Sequence, residues 1–228
     1  MDQLTLYAIP VSLYCAKLRI VLRHKQLKWK EVAPPGGYGS VEYARIVPSG
    51  SLPALLTDDV LLADSEAIAE YLNEKYPPYP LLAKDIELRA KTRELSRFHD
   101  TRLEPELRVL FTQIAPATRD AVVIIKQTAM LNLRLQALSQ LLAGSVEPRS
   151  KRGGGAGSFQ AQLTLGDCGF AISFLWIRML SQAMGFDITW PNRVLEYANH
   201  IQTFAAVSEE LTDYEPKLKH WLASAINS

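Results

Sequence analysis

The sequence has few cysteines, no long apolar segment and almost no net charge, and each lack excludes a class of protein. Cys15 and Cys168 are the two cysteines among 228 residues, a poor framework for a disulfide-stapled secreted domain, so we expect a reducing, cytoplasmic location. No apolar run approaches the roughly 20 residues that a membrane-spanning helix needs. The 25 basic and 24 acidic side chains nearly cancel, which argues against nucleic acid as the main partner because phosphate binding needs clustered cations.

Patterns of familiar catalytic sites are also missing. No Ser-His-Asp motif and no phosphate-binding glycine loop is present. No metal is expected either, because no two of the four histidines stand at metal-ligand spacing: His24, His99, His200 and His220. The one low-complexity segment, residues 148–158, is glycine-rich and carries three cations. It is predicted to be a mobile surface loop, and anion binding is the less favoured alternative.

Hydrophobic periodicity divides the chain into two parts. Short alternating runs, a helical run and turn residues predict the order βαβ, short helix, ββα before residue 80, which is a small α/β domain with a mixed sheet. Helical spacing dominates afterwards, and Pro105 is expected to bend the first long helix. The fold class is therefore α/β plus all-α, with a domain at 1–78, a linker at 79–84 and a helical domain at 85–228. Further helices are predicted at 117–143, 164–184, 191–206 and 215–226.

Three polar groups of the first domain stand at helix starts or beside a proline. Ser12 follows the first strand and opens a helix, where a hydroxyl and free N–H groups form either a plain N-cap or a site for an anion such as a thiolate. Asp64 and Ser65 open a later helix in the same way. Between them, Pro53 enters a strand, and a cis bond there would turn the N–H and C=O of Leu52 outward for a peptide-like ligand.

Four segments resemble cytosolic glutathione transferases, especially the serine- or cysteine-type classes such as zeta, omega and tau. They are the first strand and helix around Ser12, the cis-proline loop at 48–55, the acid-serine pair at 64–65, and a capping box of Thr164 and Asp167 in the helical domain. Each motif alone is weak. All four occur in the family's order, with near-family separations, over almost the whole chain.

The resemblance implies a thioredoxin-like domain that binds glutathione as co-substrate and a helical domain that helps to hold a small electrophile. On this basis Ser12 activates the glutathione thiol, and a homodimer is expected. A free thiol has a pKa near 8.5, and lowering it by about two units takes roughly 2.7 kcal/mol. The residues expected to contact glutathione are Ser51, Leu52, Pro53, Asp64 and Ser65.

The resemblance also assigns the ends of glutathione. The backbone of Leu52 would bind the cysteinyl part, Ser65 the γ-glutamyl carboxylate and Asp64 the γ-glutamyl amine. Family members commonly have Gln or Lys where this chain has the short Ser51, so the group that meets the glycyl carboxylate is open.

Two residues near Ser12 are rivals for its role. Tyr7 is placed where other classes carry an activating tyrosine, although aromatic residues also occur in strands as packing. Cys15 is the second cysteine position of a glutaredoxin-like C-P-Y-C motif whose first cysteine is replaced by Ser12. A packed, inert thiol is the favoured interpretation of Cys15, because the first cysteine normally attacks in such motifs.

The electrophile site is predicted only as a set of candidates, for each of which plain packing or exposure is an equal alternative: Pro10, Tyr14, Phe98, His99 and Arg102. If Arg102 points into the cleft, an anionic substrate becomes plausible. Three hypotheses of function follow. They are a glutathione transferase, a zeta-like glutathione-dependent isomerase or dehalogenase, and a non-catalytic binding module with the same fold.

Overall fold

The computed structural model describes residues 3–144 and 159–227, and its first part is a four-stranded mixed sheet. The strands are β1 (Leu4–Tyr7), β2 (Trp29–Val32), β3 (Ala54–Leu56) and β4 (Leu61–Leu62), in the spatial order β2-β1-β3-β4. β1 is parallel to β2 and antiparallel to β3, and β3 pairs antiparallel with β4. The helices α1 (Leu13–His24), α2 (Val41–Ala44) and α3 (Ser65–Lys75) complete the predicted thioredoxin-like order.

The rest of the described chain is helical, as predicted. α4 (Ile86–Phe98) continues through a π-helical turn (His99–Leu103) into α5 (Glu104–Val109). A 3-10 turn (Leu165–Asp167) precedes α7, and Thr164 and Asp167 form the predicted capping box around it. The remaining helices are α6 (Ala121–Gly144), α7 (Phe170–Met184), α8 (Asn192–Ile201) and α9 (Ala205–Ile226).

Alternation along β1 separates the two faces of the sheet. Leu4 and Leu6 belong to the large core that includes α1 and α3, whereas Tyr7 packs with Tyr43 and Val47 in a small cluster on the α2 side. α1 is buried over nine of its residues and contacts both α3 and the helices α7 and α9. The central helix of the first domain is therefore also part of the interface with the second.

Pro105 does not bend the helix as expected, and Pro216 lies within a helix that begins earlier than predicted. Pro105 lies in the first turn of α5, where a missing N–H costs little, and the change in the helix comes before it as the π-helical turn. Pro216 lies inside α9, which begins at Ala205 and not at 215. Burial of Tyr214 and Leu218 on either side of Pro216 outweighs the roughly 3 kcal/mol that a proline costs in a helix interior.

Some predictions concern residues that the structure does not describe. The glycine-rich segment at 148–158, with Arg149, Lys151 and Arg152, lies outside the described residues. Among the residues that are described, no helix has the length and apolarity to cross a membrane. The same residues contain no group of three metal-ligating side chains.

A buried lysine holds the segment between α3 and α4. The Lys25 side chain is 3% exposed, and its Nζ donates to the carbonyls of Pro78 and Tyr79 at 3.1 and 3.2 Å. Burial lowers the pKa of Lys25 to about 8. The lysine therefore links the end of α1 to the connection between the two domains.

The lowered pKa of Lys25 predicts how stability changes with pH. The unfolded chain keeps its Lys25 proton up to an ordinary pKa near 10.4, so between pH 8 and 10 the unfolded state binds more protons. The free energy of unfolding should therefore rise across this window by about 2 kcal/mol relative to Lys25→Met. Chemical denaturation of both proteins at a series of pH values measures the difference. Parallel pH curves would contradict the predicted protonation.

Candidate functional site

Ser12 caps α1 from an extended backbone conformation. Its Oγ accepts a hydrogen bond from the N–H of Cys15 at 3.3 Å, and the residue is half-buried. No acidic residue lies in the first turn of α1, so the positive end of the helix dipole next to the hydroxyl is not offset there. The position thus combines a hydroxyl with a helix N-terminus, which suits a thiolate.

The peptide bond between Leu52 and Pro53 is cis. Pro53 is buried and directly precedes β3, whose Ala54 pairs with Tyr7 at the end of β1. Within the described chain, the N–H and C=O of Leu52 have no hydrogen-bond partner. A free donor and acceptor on one residue at the end of a strand can bind an extended peptide-like ligand.

Ser51 connects the cis-proline loop to its neighbours. Its Oγ donates to the Ala63 carbonyl at 2.9 Å, and its own carbonyl accepts from the Tyr43 hydroxyl at 2.9 Å. The serine side chain that the sequence assigned to glutathione binding therefore already has an internal partner. Through Ala63, the loop lies directly beside the start of α3.

Asp64 caps α3 with one carboxylate oxygen. Its Oδ1 accepts from the N–H groups of Glu66 and Ala67 at 3.0 and 2.9 Å. Oδ2 accepts no bond in the described part of the chain, and the residue is exposed. The N–H of Ser65 in the first turn is likewise unpaired among the described residues. A carboxylate oxygen beside a free helix N–H suits a ligand that carries both an ammonium and a carboxylate.

Tyr7 and Cys15, the two alternatives to Ser12, both pack against core residues. The centres of the Tyr7 and Tyr43 rings are 5.7 Å apart in the small cluster on the α2 side of the sheet. Cys15 is completely buried, has no disulfide, and burial raises the pKa of its thiol. A thiol with a raised pKa and no exposure is a poor nucleophile, which agrees with the inert role predicted for Cys15.

The electrophile candidates have different environments. Pro10 and Arg102 are exposed and Phe98 is half-buried. His99, however, is 1% exposed, and its ring nitrogens are bonded to Asp100 and Ser173, each at 2.7 Å. Its position is therefore inside the interface between the domains and not on an open wall.

Tyr14 is half-buried and its hydroxyl donates to Glu104 Oε2 at 3.1 Å. Burial and the Glu104 carboxylate raise the pKa of the Tyr14 phenol, so the phenol stays protonated. Arg108 pairs with Glu104 and places its guanidinium carbon 5.6 Å from the Tyr14 ring centre and 5.7 Å from that of Phe111. The Arg108 side chain is 51% exposed, and the Tyr14 ring that it contacts lies two residues after Ser12 in the chain.

Phe111 belongs to a group of three packed aromatic side chains. The Phe111 ring stacks on Trp176 with 4.3 Å between ring centres, and Trp221 packs edge-on against Trp176 with 5.8 Å between ring centres. Trp221 is 38% exposed. These residues were not predicted as site residues, because they come from the 3-10 turn Leu110–Gln113, α7 and α9, whose packing against one another has no local signal in the sequence.

A buried ionic cluster at the domain interface was also missed. Lys17 is 1% exposed and donates to Glu66 Oε2 at 2.7 Å and to both oxygens of Asp100 at 3.1 and 2.9 Å. Ser96 of α4 donates to the same Glu66 oxygen at 2.8 Å. Although burial favours its neutral form, the His99 hydrogen bond and the Lys17 charge lower the pKa of Asp100 to about 2.

The geometry of this cluster bears on the start of α3. Glu66 directly follows Ser65, so its two bonds tie the first turn of α3 to α1 and to the helical domain. Its other oxygen, Oε1, is buried without a partner in the described chain. Tight packing continues around the cluster, because a Cβ on Gly169 would lie 2.5 Å from the His99 ring. Hydrogen-bonded charged side chains of both domains thus hold the first turn of α3 in place beneath the candidate site.

Comparisons with known proteins agree with this architecture. Residues 6–80 match the family described as glutathione S-transferase, N-terminal domain. The chain is 37% identical over 92 residues to glutathione S-transferase Z1 of Arabidopsis thaliana, which is 39% of this chain and 42% of that protein. The matched segments thus span less than half the length of the curated relatives.

Solved structures extend the similarity to nearly the whole fold. A maleyl pyruvate isomerase, described as a bacterial glutathione S-transferase of the zeta class, matches 90% of this chain and 95% of its own, with a TM-score of 0.69 and 22% identity. Ure2p in complex with glutathione matches 92% and 93%, with a TM-score of 0.71 and 18% identity. At these identities the likeness shows the fold. Together with the match at 6–80, it identifies the first part of the chain as a glutathione S-transferase N-terminal domain, joined to a helical part that shares the fold of these structures.

Proposed function

We propose that the chain binds glutathione along the edge formed by residues 9–12, 51–53 and 63–65, and activates its thiol at Ser12. The observation that carries the proposal is the set of free polar groups along this edge. Among residues 3–144 and 159–227, Leu52 has an N–H and C=O without a partner, and the start of α3 offers the unpaired Ser65 N–H and one unpaired Asp64 oxygen. A tripeptide with a zwitterionic γ-glutamyl end complements these groups.

The proposed roles follow from the chemistry of each group. Leu52 pairs with the cysteinyl backbone beside Pro53, Ser65 receives the γ-glutamyl carboxylate, and Asp64 receives the ammonium. The Ser12 hydroxyl then donates a hydrogen bond to the sulfur, and the N-terminus of α1 favours its negative charge. The thiolate attacks an electrophilic carbon and forms a C–S bond. In a substitution the bond to the leaving group breaks and that group departs with the electron pair; in an addition the π electron pair moves onto the activating group of the electrophile, which then takes up a proton.

The electrophile would lie against the side chains of Tyr14, Arg108, Phe111 and Trp221. Their rings provide an apolar surface, and Arg108 keeps N–H groups beyond its pairing with Glu104. A small hydrophobic electrophile fits this wall. A homodimer, a cytoplasmic location and a role in detoxification are part of the same proposal.

The zeta-like isomerase is the second candidate, favoured by the fold that the chain shares with a maleyl pyruvate isomerase. It uses the same thiolate but returns glutathione unchanged. Incubating the protein and glutathione with a chloronitrobenzene and, separately, with a cis-dienoic acid distinguishes the two activities by product analysis. Formation of a thioether supports the transferase, and a trans product with glutathione recovered supports the isomerase. Failure to bind immobilised glutathione would contradict both and favour a binding module.

Replacing Asp64 by asparagine tests the γ-glutamyl assignment. Asparagine keeps a side-chain oxygen to cap α3 but lacks the negative charge proposed to pair with the ammonium. We expect the KM for glutathione to rise about tenfold, with kcat at saturation and the thermal midpoint almost unchanged.

Asp85→Asn is the matched control for this variant. Asp85 caps α4 with the same geometry, since its Oδ1 accepts from the N–H groups of Glu87 and Leu88 at 3.0 and 2.9 Å. Asp85→Asn should leave the KM for glutathione unchanged. If both variants alter the KM equally, or neither does, Asp64 does not bind the ammonium.

A further inference from the structure

The loop that carries Ser12 is held through three successive backbone carbonyls by side chains of other elements. Arg19 donates from Nη2 to the Ile9 carbonyl at 3.1 Å and from Nη1 to the Pro10 carbonyl at 3.4 Å. Arg19 is 5% exposed, and Glu31 of β2 accepts two further bonds from it at 2.6 and 2.8 Å. The first two carbonyls are thus bonded to a cation that is itself fixed.

The third carbonyl is held from the C-terminal helix. The hydroxyl of Tyr214 donates to the Val11 carbonyl at 2.6 Å and accepts from Trp176 Nε1 at 2.8 Å. Tyr214 and Trp176 are each 1% exposed. A buried hydroxyl with one donor and one acceptor in place has a defined orientation, so the bond to Val11 is a fixed feature of the interface.

A second residue of α9 acts on the loop that carries Ser12, through Arg19. Glu210 lies one helical turn before Tyr214, is 1% exposed, and pairs with Arg19 at 3.5 Å and with Arg23 at 3.2 Å. One face of α9 therefore acts on the loop both directly, through Tyr214, and indirectly, through Arg19. The contact of Glu210 with Arg19 joins residues 191 positions apart, and that of Tyr214 with Val11 joins residues 203 positions apart.

The Val11 carbonyl and the Ser12 N–H belong to one planar peptide group and point in opposite directions. Holding the oxygen therefore orients the N–H and the Cα of Ser12. The hydrogen bonds of Ser12 to nearby residues are long and orient it only weakly: its nitrogen lies 3.4 Å from the Ile9 carbonyl oxygen, and its Oγ accepts from the Cys15 N–H at 3.3 Å. The Tyr214 bond is the shortest contact that fixes this peptide.

We propose that α9 is a positioning element of the thiol site, in which the Tyr214 hydroxyl holds the Val11 carbonyl and so sets the orientation of the Ser12 hydroxyl toward the sulfur. The inference rests on the proposed function and adds a residue of the helical domain to it. Tyr214 touches neither substrate nor sulfur. Its effect is on the ionisation of the thiol, whereas the binding of the γ-glutamyl end is left to the start of α3.

Tyr214→Phe tests the inference, with Tyr197→Phe as the matched control. Tyr197 is also a buried tyrosine, 2% exposed, and its hydroxyl donates at 2.6 Å to Asp167 in the helical domain. The measurement is the pKa of glutathione bound to each protein, followed by the ultraviolet absorbance of the thiolate. The KM for glutathione and the thermal midpoint are recorded in parallel.

Tyr214→Phe should raise the pKa of the bound thiol by about 0.5 to 1 unit and lower kcat/KM about threefold to tenfold below that pKa, with the KM for glutathione almost unchanged. Tyr197→Phe should lower the thermal midpoint and leave the thiol pKa unchanged. A smaller shift of the same sign is expected for Glu210→Gln, which keeps the side-chain shape and provides the test if Tyr214→Phe does not fold.

A thiol pKa equal to the parent's in folded Tyr214→Phe, or in Glu210→Gln where only that variant folds, would overturn the inference. So would an equal shift in Tyr197→Phe, because the effect would then reflect general loosening. If the parent protein itself leaves the thiol pKa at the free value, the proposed function fails. If the parent protein lowers the pKa of the bound thiol but neither Tyr214→Phe nor Glu210→Gln changes that pKa, the inference fails and the proposed function stands.

Discussion

Replacing Ser12 by alanine is expected to reduce kcat/KM for glutathione conjugation up to about 25-fold at pH 7, the fall in thiolate fraction when a thiol pKa lowered by about two units returns to its free value. The hydroxyl is the one side-chain group at the start of α1 proposed to donate to the sulfur. Without it the thiol pKa returns toward its free value near 8.5, and a smaller fraction of bound glutathione is thiolate. The rate of the parent and the variant should converge at high pH, where both carry the thiolate.

Loss of the helix cap is the effect that must be separated from loss of the donor. Ser12→Ala also removes the acceptor for the Cys15 N–H, which costs about 1 kcal/mol of stability. Ser40→Ala removes the equivalent cap of α2, where Ser40 Oγ accepts from the Tyr43 N–H at 3.0 Å. It should cost similar stability and leave the thiol pKa unchanged. Ser12→Thr keeps the hydroxyl and should retain most activity. Equal rates for the parent and Ser12→Ala would remove Ser12 as the activating residue.

The second large effect is expected at the domain interface. Lys17→Met removes the ammonium that lies between Glu66 and Asp100, and leaves two carboxylates in a site where side-chain exposure is 12% and 9%. Breaking a buried ion pair by removing one partner costs about 3–5 kcal/mol. At roughly 2–4 °C per kcal/mol for a chain of this size, the thermal midpoint should fall by about 10 °C.

Arg93→Met is the matched control for the interface. Arg93 of α4 pairs with Glu70 of α3, one turn after Glu66, but the two side chains are 42% and 31% exposed. Its loss should cost less than about 1 kcal/mol. Calorimetry or chemical denaturation of the two variants measures the stability lost with a buried cation in one case and with an exposed cation in the other. Equal stability changes would contradict a special contribution of the cluster at Lys17.

The same cluster predicts a dependence of stability on acid. The pKa of Asp100 is lowered to about 2 in the fold, below the ordinary value near 3.9 in the unfolded chain. The stabilisation is therefore present above pH 4 and is lost as the pH falls toward 2. Its loss contributes to acid unfolding, and near neutrality the stabilisation is fully present and does not change with pH.

Much of the fold was predictable because its signals are local. Alternation at residues 4–8 predicted β1, and Asp64 before an apolar helix predicted the cap of α3. The spacing of Thr164 and Asp167 predicted a capping box, which is present. Each signal depends on bonds within a few residues, so tertiary packing does not alter it. The boundary of α9 was wrong for the opposite reason, since packing of Tyr214 and Leu218 outweighs Pro216.

The supports of the candidate site were not predictable. Lys17 lies in the predicted first helix, where a lysine carries no sign of burial, and the packing of the helical domain against α1 buries it. The bond from Tyr214 to Val11 joins residues 203 positions apart. Neither residue type at either position carries a local signal. The sequence thus predicts the groups that would touch glutathione, and the structure adds those that hold them.

Titration of bound glutathione measures directly whether the protein lowers the pKa of the thiol. The ultraviolet absorbance of the thiolate is followed from low to high pH for glutathione saturating the parent protein and for glutathione alone. We expect the pKa of the bound thiol to lie about two units below the free value near 8.5, so that most of the bound thiol is ionised at neutral pH. Bound and free glutathione that titrate at the same pH would contradict it.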